Sequence, residues 1–172
     1  MSLAIVYSRA SMGVQAPLVT IEVHLSNGKP GFTLVGLPEK TVKEAQDRVR
    51  SALINDQFKY PAKRITVNLA PADLPKEGGR FDLPIAIGIL AASEQLDGSR
   101  LKQFEFVGEL ALTGELRGVH GVIPAILAAQ KAKRAPIIAY QNANEASLVS
   151  EQETYFAKNL LEVVQFLNNQ EK

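Results

Sequence analysis

A chain of 172 residues with 46% hydrophobic content suffices for one soluble globular domain, burying roughly 70% of the surface of its unfolded form without a stapling metal or disulfide. The absence of cysteine excludes a disulfide framework, thiolate metal sites and thiol nucleophiles. Nineteen basic against eighteen acidic side chains leave a formal charge of +1, so the domain as a whole has no electrostatic pull toward nucleic acid, and only local clusters could supply one.

The opening MSLAIVYSRA lacks a basic leader and a long apolar core, and no run reaches the roughly 20 apolar residues of a membrane span, so a cytoplasmic protein is expected. Leu3 to Arg9, Leu18 to Leu25 and Phe32 to Val35 alternate as strands do, and Asn27-Gly28 reads as a turn between the second and third. The chain is therefore expected to open with β-hairpins. From Thr41 to Ile54 the apolar positions Val42, Ala45, Val49, Ala52 and Leu53 recur at helical spacing, with Thr41 as N-cap and Glu44 completing a capping box. Arg64 to Leu69 is a short strand, followed by a polar, glycine-bearing loop from Ala70 to Arg80.

Asp82 to Ala92 is apolar nearly all round, which predicts a buried central helix with Pro84 in its first turn and Asp82 placed to cap it or complement its dipole. Phe104 to Leu112 is predicted as a strand, Val119 to Lys133 as a helix, Pro136 to Ala139 as a strand and Leu160 to Leu167 as a last helix. Gly108-Glu109-Leu110 and Gly114-Glu115-Leu116 repeat at a spacing of six, most simply a strand leading into a turn, with glycines at bulges or positive φ. The sum is an α+β or two-layer α/β domain over residues 1–168, with antiparallel pairing early and strand-helix crossovers later, and a polar tail over residues 169–172 that suits a linker.

The loop before Asp82 is the arrangement by which proteins present a reactive group at a helix head, yet the residue presented is Arg80, which cannot attack a carbonyl. Other site signatures are missing. Gly31 to Gly36 is followed by Leu37 where a P-loop needs Lys, no dinucleotide fingerprint follows a strand, and His24 and His120 lie in no metal-ligand spacing, so no metal or cofactor is expected. Arg80 and Asp82 read either as a brace for the helix start or, with Lys76 and Glu77, as a contact surface for another subunit or DNA. Lys59, Lys63 and Arg64, and Lys131, Lys133 and Arg134, form two local basic clusters that are either solvated element ends or nucleic-acid contacts.

The blocks GLPEKTVKEAQDRVRSAL, APADLPKEGGRFDLPIAIGILAA and GELALTGELRGVHGVIPAILAA, in that order, resemble the N-terminal domain of the magnesium-chelatase-like AAA+ proteins of the ComM/YifB family. The resemblance covers essentially the whole chain. It implies a fold like the Lon proteolytic domain, of the ribosomal protein S5 domain 2-like type, ahead of an AAA+ module absent from these residues that binds ATP and magnesium, assembles as a homo-hexamer and moves branched DNA in natural competence. Lon-type proteases present serine in Pro-Lys-Asp-Gly-Pro-Ser-Ala-Gly; the matching run here is Pro75, Lys76, Glu77, Gly78, Gly79, Arg80, Phe81 and Asp82. Their partner lysine, in Gly-Gly-Leu-Lys, falls on Ile123 after His120, Gly121 and Val122. Both members of the dyad are thus replaced, and Ser93, toward the far end of the same helix, is too distant to substitute. The expectation is a non-catalytic domain that aids ring assembly and contacts single-stranded or branched DNA; a Lon-like peptidase module and a magnesium-chelatase-type subunit are the alternatives.

Overall fold

The computed structural model describes residues 2–76, 78–149 and 153–169. The first layer is a four-stranded sheet in the order β1-β2-β4-β3, built from β1 (Leu3–Arg9), β2 (Leu18–Ser26), β3 (Gly31–Val35) and β4 (Arg64–Ala70). Alternation puts Val6, Val19, Ile21, Val23, Ile65, Val67 and Leu69 on one face at 0% exposure, while Glu22, His24 and Arg64 face outward. One buried face and one wet face is what an antiparallel-dominated sheet allows.

The predicted strand bounds hold closely, but their pairing differs. β1 and β2 form the expected antiparallel hairpin, Leu3 opposite His24 through Arg9 opposite Leu18. β3 does not turn back on β2: β4 lies between them, antiparallel to β2 and parallel to β3. The cause lies in side-chain inventory. β4 brings three fully buried apolar residues, whereas β3 brings buried Leu34 and a partly buried Phe32, so β4 gains more from the interior place and β3 takes the edge.

The parallel crossover from β3 to β4 is α1 (Glu39–Asn55), which buries Ala45, Val49, Ala52 and Leu53. Its start corrects the capping box. Pro38 stands at the N-cap with no side-chain cap bond, and its carbonyl accepts from the N–H groups of Thr41 and Val42, so Thr41 lies inside the first turn. Proline fixes its own φ and makes the helix begin two residues earlier. α2 (Asp82–Ala92) has the predicted bounds and is buried along almost its whole length, packed against β1 and β2. Gly88 is its point of closest approach: a Cβ there would stand 2.5 Å from Val23 Cγ2.

The second layer is a parallel three-stranded sheet, β5-β8-β9, from β5 (Phe104–Val107), β8 (Ala135–Ala139) and β9 (Tyr155–Ala157), with α3 (Val122–Lys131), the short α4 (Ala143–Ala146) and α5 (Leu160–Asn168) around it. β5 and β8 are wholly buried, as parallel strands are. The predicted strand over residues 104–112 is broken at Gly108, after which β6 (Glu109–Leu110) pairs with β7 (Leu116–Arg117). The two Gly-Glu-Leu repeats therefore supply the two arms of one small hairpin, and Gly114 at φ +98 turns between them. α3 begins three residues later than predicted because Gly121 adopts φ +74, which no helix continues, and it ends at Lys131 just before Lys133 at φ +65. Periodicity did not reveal β9 or α4. The architecture is α+β, as expected. No helix among the described residues is long and apolar enough to cross a membrane. Of the predicted tail, residues 170–172 lie outside the described residues.

Candidate functional site

The loop after β4 and the segment before α3 meet at Arg80. Its Nε donates to the carbonyl of Arg9 at 2.9 Å and its Nη1 to the carbonyl of His120 at 2.6 Å. The backbone around it is clamped as well: the Arg80 carbonyl accepts from Gly108 N–H, and the Gly108 carbonyl accepts from Leu83 N–H. The break in the strand at Gly108 is thus what seats the head of α2 between the two layers. On the far side, Asn142 donates to the Val119 carbonyl and accepts from its N–H, while Gln141 accepts from Gly118 N–H, so the run from Gly118 to Gly121 is held beside Arg80. Gly121 admits no side chain: besides its positive φ, a Cβ would lie 2.5 Å from Ser11 Oγ.

Of the positions matched to the serine and lysine of Lon-type proteases, Arg80 stands just before α2 and Ile123 lies in the first turn of α3, and neither side chain can supply the dyad chemistry. Arg80 is 7% exposed and its side chain is spent on two carbonyls. Ile123 packs on the apolar cluster of Val107, Val122, Ile126 and Ile138. Ser93 sits at the other end of α2, where its hydroxyl donates to the carbonyl of Ile89.

The expected brace between Arg80 and Asp82 is corrected by the structure. Asp82 is held instead by Arg48 of α1, Nε to Oδ2 at 2.6 Å and Nη2 to Oδ1 at 3.2 Å, and it accepts from Leu110 N–H at 3.1 Å. At 1% exposure it neither caps α2 nor faces a partner; it ties α1, α2 and β6 together. Burial pushes its carboxyl up to about 7, against the pull of the Arg48 guanidinium and of the Leu110 N–H. Arg48 was missed because it stands among other charged residues on the polar side of an amphipathic helix, with nothing local to mark it.

Lys76 is corrected too. It does not project from the loop but folds back, Nζ donating to the carbonyls of Pro71 and Leu74, and burial lowers its pKa, opposed by nearby Asp73. Glu77 lies outside the described residues. The described residues leave a cleft of about 480 Å³ in front of Arg80, lined by Ser11, Gly78, Gly79, Glu109 and His120. Among the described residues no group of acidic and histidine side chains could hold a metal ion.

The two basic clusters fare differently. Lys59, Lys63 and Arg64 are exposed, and Lys63 lines a second groove of about 480 Å³ together with Gln46, Arg50 and Tyr60. Arg50 lies 5.4 Å from the Tyr60 ring centre, a cation beside an aromatic face that sequence reading overlooked because α1 and the Tyr60 loop are brought together only by the fold. In the other cluster Lys131 and Lys133 are exposed, but Arg134 is structural. Its guanidinium lies 4.2 Å from the centre of the Tyr7 ring and pairs with Glu105, which is also held by Arg9.

A family model described as subunit ChlI of Mg-chelatase matches residues 21–142, a stretch that contains all three sequence blocks and both vacated positions. The chain belongs to the ChlI family. This ChlI-family chain is 90% identical over 172 residues to competence protein ComM of Haemophilus influenzae, covering all of the chain and 34% of that protein. It is 62% identical over 167 residues to YifB of Salmonella typhimurium, covering 97% of the chain and 33% of that protein. The chain thus spans about one third of the length of these curated relatives. A weaker likeness, 29% over 114 residues, joins it to Lon protease of Leptospira interrogans, across 64% of the chain and 13% of that protein. The ComM/YifB resemblance and the Lon-like fold are both borne out.

Proposed function

We propose that this chain is the non-catalytic, pseudo-protease domain of a competence-associated AAA+ protein, an ATP-dependent DNA helicase or branch-migration factor that works in the cytoplasm as a homo-hexamer. In that assembly the domain aids ring formation and contacts single-stranded or branched DNA, while ATP and magnesium belong to a motor module outside these residues. The observation that carries the non-catalytic reading is Arg80 itself. A peptidase of the Lon type needs a hydroxyl at that position and a desolvated amine as its partner; Arg80 offers a guanidinium bound to two carbonyls, and the residue matched to the lysine, Ile123, is an isoleucine packed on an apolar cluster. Incubation with unfolded casein is expected to leave the substrate intact. Cleavage that Arg80→Ala abolishes would restore the peptidase alternative.

The DNA reading is supported by the groove lined by Lys63, Arg50 and Tyr60, with exposed Arg64 next to it in the chain, basic groups beside an aromatic ring, the pairing that single-strand binders use. Its test is a titration of the chain with labelled single-stranded and forked DNA over a salt series. Three phosphate contacts give a slope of log affinity against log salt of about −2 for single strands. Substituting Lys63 and Arg64 with alanine should flatten that slope. No binding at low salt rules out DNA contact and leaves ring assembly as the role.

A further inference from the structure

Among the described residues the buried charges do not balance. Glu105 answers both Arg9 and Arg134, and Asp82 answers Arg48, so the interior carboxylates are committed to other cations. Arg80 is left with two carbonyl oxygens, which satisfy N–H groups without neutralising a charge, and its Nη2 is buried with no hydrogen-bond partner. A guanidinium taken out of water without a counter-charge is costly to keep, and the cost falls when an anion shares its surroundings. Desolvation is also the one influence on its protonation, and it acts to lower the pKa.

The surroundings of Arg80 include an open cleft. The cleft in front of Arg80 is lined by the Ser11 hydroxyl, the Gly78–Gly79 turn and exposed His120, and no carbonyl among the described residues takes the backbone N–H of Gly78 or Gly79. Gly78 has φ +78 with open space where a side chain would stand, so the turn presents bare backbone to the cleft. With Nε and Nη1 bonded to carbonyls, Nη2 is the guanidinium donor left for an acceptor, and a charged N–H bonds an anionic oxygen more strongly than a neutral one. Glu109, whose carboxylate lies against Gly79, is the opposing feature on the rim.

We propose that the cleft before Arg80 is a binding site for a small oxyanion, a carboxylate or phosphate group, with Arg80 as its counter-charge and the Gly78–Gly79 amides and Ser11 as further donors. The site is separate from the proposed DNA groove: Lys63 and Arg64 stand at the start of β4, whereas the Arg80 loop follows its end. Each proposal can fail without the other.

The test uses the isotopically labelled chain in amide and arginine Nε NMR spectra, titrated separately with inorganic phosphate and with acetate, against sodium chloride at matched ionic strength. Saturable shifts of Arg80 Nε and of the Gly78, Gly79 and Gly121 amides are expected, half-complete on the order of 1 mM. Response to one probe alone assigns the site to phosphate or to carboxylate, and response to both assigns it to oxyanions generally. Arg80→Gln should weaken the response about tenfold or more. Because that variant also loses the ties to Arg9 and His120, Glu109→Gln provides an independent check: removing the like charge from the rim should tighten binding several-fold. Shifts equal to those in chloride, shifts confined to Lys63 and Arg64, or binding unchanged in Glu109→Gln would overturn the proposal.

Discussion

Removal of Arg48 gives the sharpest test of how the two layers are held. In Arg48→Met the side chain keeps its apolar stem but Asp82, 1% exposed, loses both guanidinium bonds and retains only Leu110 N–H. Breaking one partner from a buried ion pair costs about 3–5 kcal/mol when the survivor stays charged. Asp82 has an escape, because it can take up a proton. Its folded pKa of about 7 lies above the unfolded value near 3.9, so its contribution to stability is complete below pH ~4 and is lost as pH rises toward 7. Arg48 and the Leu110 N–H are what pull that pKa down, so without Arg48 it rises further and the loss continues above pH 7 at about 1.4 kcal/mol per pH unit. The expected penalty relative to the parent chain is therefore about 1 kcal/mol at pH 5 and about 3 kcal/mol at pH 8.5. Urea unfolding followed by circular dichroism at the two pH values measures both, and Asp82→Asn in the Arg48→Met background should recover most of the alkaline penalty. A loss of the same size at both pH values, or of less than about 1 kcal/mol at pH 8.5, would refute the reasoning.

Gly88→Ala ought to raise helix propensity by roughly 1 kcal/mol, yet its new methyl would meet Val23 Cγ2 at 2.5 Å, so a net destabilisation of about 1–3 kcal/mol is expected in thermal unfolding, and a raised Tm would contradict it. Arg134→Ala should cost about 2 kcal/mol through the lost Tyr7 stacking and the lost bond to Glu105, while Lys131→Ala and Lys133→Ala stay within about 0.5 kcal/mol; equal effects at the three positions would show that Arg134 is not structural.

What could be read from the sequence was what lies on one element at a time. α2 was legible because an 11-residue run that is apolar after its first residue, Asp82, with proline in its first turn, has few other structures open to it, and most strands announced themselves by alternation. Register and partners were not. The place of β4 between β2 and β3 depends on which strand buries more, a comparison across residues 18 to 70 that no window contains. At the site, what the sequence made legible was that Arg80 stands at the head of α2 and Ile123 near the head of α3. The Arg48–Asp82 pair, whose members are 34 positions apart, and the hold of Asn142 on Val119 arise only when distant elements meet. Lys76 was misread for a related reason: a lysine in a polar loop gives no sign that two carbonyls of the same loop will fold over it.

The insertion of β4 between β2 and β3 also sets an order for synthesis on the ribosome. The hairpin of β1 and β2 can close as soon as residue 26 is free, but the inner edge of β2 then waits through β3 and all of α1 before residues 64–70 arrive to pair with it. β3 cannot settle earlier either, since its neighbour in the sheet is that same late strand. For the length of that interval the nascent chain displays a hairpin with one unpaired edge, whose buried face carries Val19, Ile21 and Val23, the kind of exposed edge that invites mispairing until β4 arrives.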